Sequence, residues 1–124
     1  MRNQISKTSP YYISKHRYLE LKHFCLQYPE WEEAVKTIKG RVPEADEKDP
    51  TGNDASMLAD LKKRMELVNL AAKGADTVLA PFIFAHVTKG CTYERLRIDG
   101  IPCCRESFYI YLRKFFYLLN VYKG

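Results

Sequence analysis

No stretch of this 124-residue chain approaches the roughly 18 to 20 consecutive apolar residues that cross a bilayer. Its opening residues, MRNQISKTSP, lack the apolar stretch of a secretory signal. No membrane partner is expected, and the cytoplasm is the expected location. Cysteine is sparse: Cys25, Cys91, Cys103 and Cys104 form no CxxC pair and no framework of the kind that staples small secreted domains. Reduced thiols follow. Adjacent cysteines do not readily share one tetrahedral ion, and His16 and His23 lie two helical turns apart rather than at i, i+4. Neither a metal nor a cofactor is therefore expected. The chain also lacks GxSxG, HExxH and a phosphate loop. Glu30, Glu32 and Glu33 crowd the start of a helix, where its macrodipole favours them without any chemistry. The expectation is a protein that binds rather than catalyses. No segment alternates for long enough to make a strand.

Apolar residues, by contrast, are plentiful at 46%, with 13% aromatic, a composition that folds. Periodicity predicts helices almost throughout. Tyr18, Leu21, Phe24, Cys25 and Tyr28 recur at helical spacing from Ser14, and Trp31, Ala34, Val35 and Ile38 repeat the pattern after Pro29 and stop at Gly40. Residues 41 to 54 combine prolines with acidic groups and little to bury, which predicts a linker. Leu58, Leu61, Met65, Val68 and Ala72 mark a third helix that Lys73-Gly74 should end. A fourth follows Asp76, where Pro81 delays or kinks the start. His86 falls on its apolar face and reads as a core histidine. The expected fold is all α: an N-terminal helical hairpin over 1 to 40, an acidic linker over 41 to 54, and a C-terminal helix-turn-helix bundle over 55 to 124.

The last expectation rests on the C-terminal pattern. Thr92 is an N-cap candidate for a short helix to Ile98, Asp99-Gly100-Ile101-Pro102 is a break, and a longer helix follows. On the long helix, Phe108, Tyr111, Leu112, Phe115, Leu118, Leu119 and Tyr122 share a core arc. The opposite arc carries Glu106, Tyr109, Ile110, Arg113, Lys114 and Tyr117, with Arg105 at one edge near the helix N-terminus. Charge is distributed to suit an anionic partner: the net charge is +5, and basic residues outnumber acidic ones at both ends but not in the middle. The outer arc, with Arg95 and Arg97 on the short helix and Lys15, Arg17 and Lys22 near the N-terminus, is the candidate surface for double-stranded DNA. Side chains near the helix start would reach bases or phosphates in the major groove.

The stretches YYISKHRYLELKHFCLQYPEW and GIPCCRESFYIYLRKFFYLL resemble small phage- and prophage-encoded proteins of Gram-positive bacteria. Their layout is similar to that of phage late transcriptional regulators with a helix-turn-helix like that of sigma-factor region 4. The resemblance implies a DNA-binding transcriptional regulator working in the cytoplasm of a bacterial host cell. Cys104 stands where such proteins tend to carry serine, and Tyr109 to Leu112 where they carry more arginine. That departure motivates an alternative from another class: an anti-CRISPR-type inhibitor that docks on a host nucleic-acid-binding enzyme, such as a Cas nuclease or RNA polymerase.

Overall fold

The computed structural model describes residues 10 to 41 and 52 to 124, and every regular element among them is an α-helix. The fold is all α, as the periodicity predicts. Six helices follow one another: α1 (Lys15–Leu26), α2 (Tyr28–Arg41), α3 (Gly52–Ala75), α4 (Ala80–Lys89), α5 (Tyr93–Ile98) and α6 (Arg105–Lys123).

Local signals account for most of the boundaries. Ser14 caps α1 by accepting a hydrogen bond from the Arg17 amide at 3.2 Å. Pro29 sits at the start of α2, where its missing amide hydrogen costs nothing. Of the linker expected over 41 to 54, Arg41 closes α2 and residues 52 to 54 already belong to α3; residues 42 to 51 lie outside the described residues. Gly74 does not stop α3, which continues to Ala75. Asp76 then accepts a hydrogen bond from the Leu79 amide at 2.8 Å, in a turn rather than as the cap of α4. Pro81 fixes the later start: α4 opens at Ala80, which leaves the proline in the first turn.

One continuous core joins the helices, running from Leu21, Cys25, Tyr28, Trp31 and Ile38 of the first two to Val68 and Ala72 of α3, Ile83 of α4, Leu96 of α5 and Phe108, Leu112, Phe115, Phe116 and Leu119 of α6. Helix α6 is packed from two sides. It lies along α3, where a methyl group at Gly74 would press on the Leu118 side chain. On the other side Tyr18 of α1 meets Phe116 edge to face, with centroids 5.0 Å apart. This second neighbour widens the buried arc to include Phe116. Tyr122, expected in the core, is instead exposed in the last turn. Aromatic contacts also hold α2 in place: Trp31 packs on Phe24 at 4.8 Å and Tyr28 on Phe84 of α4 at 4.8 Å. The Asn69 side-chain amide donates to the Tyr28 hydroxyl at 3.0 Å.

Candidate functional site

Helix α5, the turn after it and the first half of α6 form a rigid unit whose geometry is fixed by a few atoms. Thr92 caps α5 by accepting from the Arg95 amide at 3.2 Å. The helix closes at Gly100, whose φ of 94° is the left-handed conformation that glycine adopts without a Cβ penalty. The Ile101 amide reaches back to the Leu96 carbonyl at 3.0 Å and the Gly100 amide to the Arg97 carbonyl at 3.1 Å. These two bonds are a Schellman motif, and its customary apolar pair is present in Leu96 and Ile101, both buried. Tyr93 ties the turn to both helices: its hydroxyl donates to the Cys103 carbonyl at 2.7 Å, and its ring lies 5.9 Å from that of Phe108.

From that base the candidate residues point in different directions. Arg105 is exposed but engaged, paired with Glu94 and lying 5.3 Å above the Tyr93 ring. Arg95 pairs with Asp99 at 3.4 Å, an exposed contact of small energetic weight. Arg97, Glu106 and Ile110 face solvent, and Lys114 is half-buried. Tyr109 is half-buried, its ring 5.7 Å from Phe108. Arg113 is half-buried, with its Nε shielded from solvent. Tyr117 is covered by Tyr11, with centroids 5.5 Å apart. The outer face of α6 is therefore open in its first half and partly roofed in its second.

The N-terminal cations are dispersed rather than gathered onto this face. Arg17 donates from Nε to the Asn120 side-chain oxygen at 2.6 Å and approaches Glu20 at 4.0 Å. Asn120 lies fifteen residues beyond Arg105, roughly 22 Å along the helix. Lys15 is exposed, and exposed Lys22 lies close enough to His86 to disfavour its protonation. Burial is the larger reason that the pKa of His86 falls below its ordinary value, with the charge of Lys22 acting in the same direction. The ring bonds through Nδ1 to the Cys91 carbonyl at 2.7 Å. A carbonyl only accepts, so Nδ1 carries the proton. His86 is a satisfied, half-buried histidine, as its apolar helix face predicts, and its ring meets Phe108 edge-on at 5.2 Å.

Thiol chemistry follows burial. Cys25 is fully buried and its pKa is pushed up to about 12. Burial also raises Cys103, whereas a hydrogen bond with Ser107 holds exposed Cys104 below the usual thiol range. Among the described residues no group of three or more His, Cys, Asp or Glu could hold a metal ion, and no helix is long and apolar enough to cross a membrane. A crevice of about 490 Å³ lies between α3 and α4, lined by Asn69, Ala72, Lys73, Thr77, Ala80, Pro81 and Phe84. Sequence reasoning passed over it because its lining comes from two helices and the turn that joins them. Compared with known protein families, curated proteins and solved structures, the chain matches none.

Proposed function

We propose that this protein is a phage-type DNA-binding transcriptional regulator of a bacterial host cell, acting by docking without catalysis. Helices α5 and α6 serve as its helix-turn-helix. The observation that carries this reading is the α5–turn–α6 unit held by the Schellman motif and Tyr93, with Arg97, Arg105, Glu106 and Ile110 exposed and Lys114 half-buried. A major groove admits one helix, and a recognition helix reads bases from its N-terminal residues. The open half of α6 is that end. Phosphate contacts would fall to Arg97, Arg105 and Lys114, while Arg113, with its Nε shielded, serves more as packing.

The test is fluorescence anisotropy of labelled duplex DNA with wild-type protein and with the combined Arg97→Ala, Arg105→Ala, Lys114→Ala variant. The variant should bind on the order of tenfold or more weakly, the scale of losing two or three charge-assisted phosphate contacts. Its helical circular dichroism should be unchanged. Equal affinity would contradict the assignment of this face.

One observation favours a second reading. Ile98 is 79% exposed and shares the surface of α5 with the Arg95–Asp99 and Arg105–Glu94 pairs. Apolar and mixed-charge side chains together suit a protein partner. On that reading the protein inhibits a nucleic-acid-binding enzyme, such as a Cas nuclease or RNA polymerase. Absent binding to bare duplex, with retained affinity for such an enzyme, would select it.

A further inference from the structure

The crevice of about 490 Å³ between α3 and α4 is formed by residues outside the α5–turn–α6 unit. Two short side chains account for it. Ala72 of α3 and Ala80 of α4, both buried, line the crevice and stop at Cβ, so the space between the helices is left unfilled there. Pro81 and Phe84 supply larger apolar walls, and the half-buried Phe84 ring is held edge to face by Tyr28 at 4.8 Å. Small-molecule sites occupy volumes of about 300 to 1,000 Å³, with apolar walls and a few polar groups that fix orientation.

The polar groups here are chemically defined. The Asn69 side-chain nitrogen donates to the Tyr28 hydroxyl at 3.0 Å and to the Met65 carbonyl at 2.9 Å. A carbonyl only accepts, so the second bond fixes which end of the amide is nitrogen, and the two together use both of its hydrogens. Oδ1 is left as a pure acceptor, with no hydrogen bond among the described residues. Lys73, one helical turn further on, is exposed and has no ion pair among the described residues. Asp76, the acidic residue nearest to it in the chain, directs Oδ2 to the Leu79 amide at 2.8 Å. An acceptor and a cation therefore stand about 6 Å apart along α3, beside the apolar wall of α4.

We propose that this crevice binds a small aromatic carboxylate carrying a hydrogen-bond donor on the far side of its ring. The carboxylate meets Lys73, the donor meets Asn69 Oδ1, and the ring lies against Pro81 and Phe84. A planar ring covers those two rigid side chains with little loss of rotamer freedom, and its charge complements both Lys73 and the net charge of +5. The site stands whether or not the protein binds DNA.

The experiment titrates the full chain, labelled with ¹⁵N, with 4-hydroxybenzoate and follows the backbone amides by NMR. Saturable shifts should concentrate at Asn69, Lys73, Thr77 and Phe84. Benzoate, which lacks the donor, should bind about three- to tenfold more weakly, the scale of one hydrogen bond. 4-Hydroxybenzamide, which lacks the charge, should bind about two- to fivefold more weakly, the scale of an exposed ion pair. Lys73→Gln should bind 4-hydroxybenzoate and 4-hydroxybenzamide equally, whereas Lys63→Gln, on the same helix but outside the lining, should discriminate as wild type does. Circular dichroism checks that each variant is folded, and the comparison of the two probes on wild type tests the charge without any variant. The absence of saturable shifts, or their appearance only at other residues, would overturn the proposal. Equal wild-type affinity for the two 4-hydroxy probes would also overturn it. Shifts at the same residues that grow with protein concentration alone would assign the crevice to a second copy of the chain and overturn it as well.

Discussion

Phe115 has no exposed surface and stands edge to face with Phe116 at 5.0 Å, so each of its atoms is in contact with core. Truncating such a ring removes its transfer free energy and leaves a cavity that neighbours fill only in part. Phe115→Ala should cost about 3 to 5 kcal/mol, measured by urea denaturation. A loss below about 1 kcal/mol would mean that the α3–α6 seam is not the centre of the fold. Residue-scale features of this kind were legible in the sequence where the cause is local. The cap Thr92 and the turn glycine Gly100 act through bonds to residues within a few positions, and each is found in its expected role. Arg17 and Tyr117 were less legible. Their partners, Asn120 and Tyr11, lie more than a hundred positions away in the chain, and no spacing rule connects residues so far apart.

At the scale of elements, α5 holds back part of the cationic surface of α6. Glu94, in the first turn of α5, is favoured there by the helix dipole and also pairs with Arg105. A phosphate must compete with that carboxylate for the guanidinium. Glu94→Gln should free Arg105 and remove a negative charge facing DNA. Duplex affinity should rise about two- to fivefold, the equivalent of one exposed ion pair, at little cost in stability. Unchanged or weaker binding in the same anisotropy titration would show that Arg105 does not face the backbone. Both residues were expected on helices, and the expected bounds of the short one, Tyr93 to Ile98, are those of α5. The sequence could not bring Glu94 to Arg105, because that contact depends on how the turn between them folds. The delayed start of α4 was half-visible for the same reason: Pro81 signals a disturbance, and only the turn over 77 to 79 decides that the helix begins at Ala80.

Across the whole molecule, a single buried cluster links α1 and α2 to the C-terminal helices. The sequence separates a hairpin from a bundle by composition alone, since an acidic stretch between helices says nothing about which faces later meet. Trp31 is the one tryptophan of the chain and is buried in α2, which makes it a reporter on the N-terminal half. Its fluorescence and the far-ultraviolet circular dichroism should change together during urea unfolding, as a single cooperative domain requires. Two separated midpoints would show that the hairpin unfolds independently.

On the proposed function, the open half of α6, with Arg97, Arg105 and Lys114, grips a duplex. The most direct test is the salt dependence of duplex affinity for the wild-type protein and the Arg97, Arg105, Lys114 alanine variant. Each neutralised phosphate contributes about −0.9 to the slope of log affinity against log salt. The wild-type slope should be about −3 or steeper, and the variant's should be shallower by about one unit for each residue that contacts phosphate. A wild-type slope near zero, or slopes that are steep but identical in the two proteins, would contradict the claim.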